Sequence, residues 1–199
     1  MRTALKIIFA GVLLVAPGFS QTAWAAETYY TDPGHTEVRF GWNHAGVSMQ
    51  TAEFTKVDGM LTLDPDNVEK SKLSVTIDAN SVSSGVKIFD KHLKGKRYFD
   101  VAKFPKITFV STSVKRTGDK TADVIGDMTI HGVTKPVTLK TTLTHRGPHP
   151  VAAAIAYYKG NWVAFSATTK IDHMAFKVGN FSTGPITINI VTEMKDRKK

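Results

Sequence analysis

The sequence predicts an all-β domain interrupted by one short helix. Three observations carry this. From Glu37 to Ile190, apolar and polar residues alternate in roughly eight or nine short segments, the pattern of antiparallel strands with one dry and one wet face. One stretch, between Ser83 and Gly95, abandons that two-residue period for a helical one. No repeat, linker or low-complexity block divides the 199 residues, a length that suits one domain with a substantial core.

Taken in order, the chain opens on a targeting pattern. Arg2 and Lys6 form a short positive region, Ile7 to Val15 an apolar run, and Ala23-Trp24-Ala25 a small-residue cleavage site. Pro17-Gly18 interrupts the run, which is too short to span a bilayer permanently. Residues 1–25 are therefore expected to leave as a signal peptide, and residues 26–199 to form the exported domain, periplasmic or secreted. No cysteine follows the run to carry a lipid anchor.

The first strand shows Val38, Phe40 and Trp42 against Glu37, Arg39 and Gly41. Val57, Gly59, Leu61 and Leu63 follow, stopped by Asp64-Pro65-Asp66-Asn67, with proline at its favoured second turn position. Leu73, Val75 and Ile77 then alternate with Ser74, Thr76 and Asp78. In the helical stretch Val86, Phe89 and Leu93 fall at i, i+3 and i+7 and share one face. Ser83 or Ser84 is expected to cap its start and Gly95 to close it in a left-handed conformation. Lys91 and Lys94 suit the negative end of its dipole.

Pro105 holds Phe104 extended, and Ile107 and Phe109 lead the next strand. Val124 to Ile130 and Val137 to Leu143 repeat the alternation. Residues 151–158 and 162–171 read as a hairpin around Lys159-Gly160-Asn161, and Ile186, Ile188 and Ile190 as the last strand. This pattern fits a sandwich or a closed barrel equally well. A barrel of about eight strands has an interior that side chains just fill or that holds one small ligand.

Composition narrows the function. With no cysteine, the exported fold must rest on its own core. The formal charge of +9 becomes +7 once Arg2 and Lys6 are removed, a balance that favours anionic partners. Export argues against nucleic acid, leaving an anionic membrane surface as a transient partner. Lys87, Lys91, Lys94, Lys96, Arg97, Lys103 and Lys106 crowd the helix and its sequel against only Asp90 and Asp100. They form either a solvated face or a mouth that attracts phosphate head groups. A second basic run, at Lys195, Arg197, Lys198 and Lys199, ends the chain.

Seven histidines are present, yet none has metalloprotease spacing and no carboxylate lies at a motif distance. No nucleophile elbow and no phosphate-cradling glycine loop occurs. The expectation is a protein without metal, cofactor or catalytic set. His35, His44 and His131 lie close to strand ends and read as structural, hydrogen-bonded groups.

Four segments in order resemble the YceI-like family of exported bacterial lipid-binding proteins. The first is Asp32-Pro33-Gly34-His35-Thr36-Glu37-Val38-Arg39-Phe40, followed by His44. The second runs from His92-Leu93 through Phe99-Asp100-Val101 to Phe104-Pro105-Lys106-Ile107-Thr108-Phe109. The third is Gly126-Asp127-Met128-Thr129-Ile130-His131-Gly132-Val133-Thr134-Lys135-Pro136-Val137. The fourth is Phe165-Ser166-Ala167 leading into Ile171-Asp172. Here the family's following Arg–Asp pair is replaced by His173 and Ala175.

The resemblance implies an eight-stranded antiparallel lipocalin-like barrel with one short helix near residues 84–95 and a long apolar cavity. The implied ligand is an isoprenoid or other long-chain amphiphile. Residues expected to line the cavity are Phe40, Trp42, Phe54, Val75, Phe89, Leu93, Phe99, Phe109, Met128, Trp162, Phe165 and Phe176. His44, His92, Lys94, Arg97 and His173 are expected at the mouth, beside the head group. A rival reading is an enzyme acting on a lipid or small metabolite with His44, His92 or His173 as acid–base group. Another is a stress-related structural module with a filled barrel.

Overall fold

The computed structural model describes residues 26–181 and 183–196. The targeting segment and the last three residues of the basic tail lie outside the described residues. Ten strands run in chain order: β1 (Glu27–His44), β2 (Ser48–Phe54), β3 (Val57–Leu63), β4 (Lys72–Asp78), β5 (Val82–Ser83), β6 (Lys106–Arg116), β7 (Thr121–Ile130), β8 (Val133–Pro148), β9 (Asn161–Ile171) and β10 (Ile186–Asp196). One α-helix, α1 (Lys87–Lys94), falls between β5 and β6.

Eight strands close a ring in the order β1-β3-β4-β6-β7-β8-β9-β10, and β10 returns to pair with β1. Every pairing is antiparallel. The fold is thus the eight-stranded barrel expected, and closure removes the free edges that an open sheet would leave.

β1 is the long spine of the ring. Its start pairs with β3 through Glu27↔Leu63 to Tyr30↔Met60, and its end pairs with β2 through Val38↔Phe54 to His44↔Ser48. Between them the ladder breaks, and the pairing with β10 shifts register between Thr31 and Thr36. The Thr31 hydroxyl bridges the break, accepting from the Gly59 N–H at 2.9 Å and donating to the Val57 carbonyl at 3.3 Å. Gly59 permits this approach, since a Cβ there would lie 2.7 Å from the Thr31 methyl. The β7–β8 turn is a two-residue link at His131 and Gly132, both at positive φ. His131 packs on Phe104 with ring centroids 4.6 Å apart, but neither ring nitrogen has a hydrogen-bond partner among the described residues, so it is held by ring packing and not by the hydrogen bonds expected.

Four local readings are corrected. β2 escaped the sequence reading because most of its side chains are exposed and polar, so no apolar alternation marks it. Residues 151–158 form no strand; β8 runs on to Pro148, which pairs with Asn161, and the intervening segment is a loop with a short turn at Ala156–Tyr158. Neither Ser83 nor Ser84 caps α1: the N-cap is Val86, without a side-chain hydrogen bond, while Ser84 binds Asp90 through both its N–H and its hydroxyl at 2.6 Å. Gly95 is extended at φ −74°, not left-handed, and its N–H closes on the His92 carbonyl.

Candidate functional site

The barrel is not filled. A cavity of about 310 Å³ runs through its interior. Its wall follows β10 from Ile186 to Met194, roughly 26 Å at ~3.3 Å per residue. Alternation along each strand delivers one apolar face inward. On β9 that face is Phe165, Ala167 and Ile171, and on β7 it is Ala122, Val124, Met128 and Ile130. Gly126 interrupts the β7 series to admit the Phe109 ring, which a Cβ there would approach to 2.6 Å.

α1 lies over one end. Leu93 is buried in the main core, Phe89 is half-buried, and both line the cavity. Val86, expected on the same face, is exposed instead, because the helix begins only after it. Beneath the helix the aromatic rings interlock. Phe89 stacks on Trp42 at 5.4 Å, Phe40 stacks on Trp42 at 5.8 Å and on Phe54 at 5.3 Å, and Phe99 meets Phe40 and Phe54 edge-on. Offset and edge-on contacts of this kind add stability beyond area alone.

Eleven of the twelve residues expected along the cavity line it: Phe40, Trp42, Phe54, Val75, Phe89, Leu93, Phe99, Phe109, Met128, Phe165 and Phe176. Trp162 does not. It belongs to the opposite face of β9 from Val163 and Phe165, and is buried outside the barrel by Tyr157, Tyr158 and His149. The small side chains of the 151–156 stretch are likewise not part of the cavity wall.

The mouth residues divide. His44, exposed at the end of β1, lines the opening, as do Phe181 and Thr183. His173 also lines it, but both ring nitrogens are engaged in its own loop. Its Nδ1 lies 2.6 Å from the Val178 carbonyl and its Nε2 accepts from the Thr183 N–H at 3.2 Å. His173 therefore pins the 173–183 loop and has no nitrogen left for a ligand. His92, Lys94 and Arg97 sit on the outer side of the helix end and form no part of the cavity wall. The rim still touches the mouth, since the Arg97 carbonyl accepts from the Gly179 N–H at 2.8 Å.

The barrel thus encloses an apolar cavity with a basic helix over one end. The YceI-like domain family matches residues 29–195. The chain belongs to the YceI-like family. A UPF0312 protein of Pseudomonas savastanoi is 37% identical over 161 residues, covering 80% of this chain and 82% of that one. Among solved structures, Burkholderia cenocepacia BcnA superposes with a TM-score of 0.71 at 22% identity, over 82% of this chain and 98% of its own. A polyisoprenoid binding domain from Saccharophagus degradans superposes with a TM-score of 0.63 at 11% identity, over 86% and 99%.

This YceI-like chain also carries a polar cluster that the sequence reading missed. Asp32 and His35 of β1 meet Glu193 of β10, with one donor atom from each within 4.8 Å of the others. Burial pushes the Asp32 carboxyl up, but hydrogen bonds from His35, Tyr157 and the Gly34 N–H outweigh it and hold its pKa below the usual range. The same bond to Asp32 raises His35. No spacing rule could find this group, because Glu193 is brought in by barrel closure.

Proposed function

We propose that the protein is an exported carrier that holds an isoprenoid or other long-chain amphiphile in its barrel and works by burial, without catalysis. The observation that carries this is the long apolar cavity under α1, whose wall offers few polar groups. The solved Saccharophagus degradans domain of the same fold is described as polyisoprenoid binding. Each 100 Å² of tail taken from water contributes about 2.5 kcal/mol before the costs of binding. Tail selectivity is then loose, and the head group rests at the mouth near His44 and Thr183. The basic rim at Lys94 and Arg97 speeds approach to an anionic membrane surface more than it tightens the complex, since exposed ion pairs are worth about 1 kcal/mol or less.

Mass spectrometry of protein from the producing cells tests both halves of the proposal. The denatured chain should begin at Ala26, and the native species should carry one extractable apolar molecule. A chain retaining Met1 would overturn export, and a bare native mass that takes up no added polyprenol would overturn the carrier.

A second expectation locates the ligand. Ala167 lines the cavity between β8 and β10. Ala167→Phe should project a ring into that space, reduce lipid affinity at least ~10-fold and leave the melting temperature level or higher, because it fills a void. Unchanged affinity would place the lipid elsewhere.

A further inference from the structure

The register break in β1 has a chemical product. Asp32-Pro33-Gly34-His35 occupies the stretch where pairing with β10 shifts, and the bend gathers Asp32, His35 and Glu193 on the outside of the barrel. None of the three lines the cavity. Asp32 is almost fully buried and is oriented on both oxygens. Oδ1 accepts from the Tyr157 hydroxyl at 2.7 Å and the Gly34 N–H at 3.1 Å, and Oδ2 lies 2.7 Å from His35 Nδ1. Glu193 Oε2 is enclosed yet has no hydrogen-bond partner among the described residues. A second imidazole faces it, His149 Nε2 at 3.6 Å. Near His149 stands His145, whose Nε2 is also enclosed and unpartnered.

Charge makes the arrangement unusual. Two carboxylates share the site, and neither is ion-paired with lysine or arginine among the described residues. The neighbouring Lys195 is turned to the Tyr157 carbonyl and to the faces of Tyr157 and Trp162. Two carboxylates and an imidazole within 4.8 Å, one of the carboxylate oxygens enclosed and without a hydrogen bond, are what a cation would resolve.

We propose that Asp32, His35 and Glu193 form a site for a divalent transition-metal ion of the zinc type, with the His149 ring packed beside Glu193. Mixed imidazole and carboxylate ligands favour such an ion over calcium or magnesium, which prefer oxygen alone. The bonds from Tyr157 and Gly34 to Asp32 are the outer contacts that fix a ligand's direction. Its ligands come from both strands of the β1–β10 seam, so its role is to join them. It fastens the 149–158 loop, through His149 and Tyr157, to the seam where β1 and β10 meet. This stands apart from the lipid cavity and does not depend on it.

The test uses the whole mature chain after chelation, titrated with Zn²⁺ against a chromophoric chelator and, in parallel, with Co²⁺ for its visible spectrum. One equivalent should bind, the cobalt spectrum should show nitrogen and oxygen ligands, and saturating zinc should raise the melting temperature by roughly 5–10 °C. Glu193→Gln and the more exposed His35→Gln should each weaken binding at least ~10-fold, while Glu69→Gln, on the surface elsewhere, should not. Circular dichroism of each zinc-free variant confirms that it is folded, and His35→Gln serves if Glu193→Gln is not. Absence of stoichiometric zinc at 100-micromolar order, or binding that ignores both site variants, would overturn the assignment and leave the cluster as histidine–carboxylate pairs.

Discussion

Leu93→Asp should release the lipid while leaving the barrel standing. Leu93 is 4% exposed and packs into the main core from the underside of α1. A carboxylate placed there without a partner costs several kcal/mol. α1 has only eight residues, too few to be stable on its own, so its hold on the barrel is mostly this packing. The cheapest relief is for the helix to swing away, which opens the cavity end that Phe89 and Trp42 cover. The off-rate of a bound polyprenol to acceptor vesicles should rise more than ~10-fold, since a loss of 1.4 kcal/mol already gives that factor. Strand circular dichroism should stay. Ile88→Asp, on the 69% exposed face of the same helix, should change neither. Equal off-rates for Leu93→Asp and the parent would show that α1 is not the gate.

Trp162→Ala should do the reverse. Trp162 is 1% exposed, its indole N–H donates to the Tyr158 carbonyl at 2.9 Å, and its ring packs on Tyr158 and His149. Truncating so large a buried ring costs about 3–5 kcal/mol, and in a domain of this size each kcal/mol lowers the melting temperature about 2–4 °C. Calorimetry should therefore show a fall of roughly 6–20 °C. Because the ring lies outside the barrel, the folded variant should bind lipid as tightly as the parent. Lost affinity with little lost stability would return Trp162 to the lipid site.

What the sequence made legible was periodicity. Wherever apolar residues alternate, as at Val124 to Ile130 or Leu73 to Ile77, a strand stands with that set turned inward. The same rule misled where its physical basis failed. Ser48 to Glu53 is held by backbone pairing to β1 with little apolar burial, so nothing in its side chains announces a strand. Alanine-rich 151–156 is apolar but loops over the outside. Trp162 was legible in principle, since Val163, Phe165 and Ala167 claim the inward positions of β9, but its size drew it into the cavity set. The left-handed Gly95 failed because the chain continues into further turns, with the Phe99 N–H on the Leu93 carbonyl, instead of leaving the helix. The Asp32–His35–Glu193 group required knowing which strands become neighbours, and only the closed topology supplies that.

The pairing of β1 with β10 has a consequence for how the protein comes into being. Tyr29 sits opposite Asp196, so the seam joins the two ends of the domain. Closing so large a loop costs entropy before any contact repays it, and pairings this distant in sequence form slowly. Until β10 arrives, β1 and β9 present open edges, and the future cavity wall is a bare apolar sheet. The compartment is enclosed only where the eleven-residue β10 pairs with both β9 and β1. With that pairing absent, the apolar wall of the cavity is a surface open to sticking to another copy.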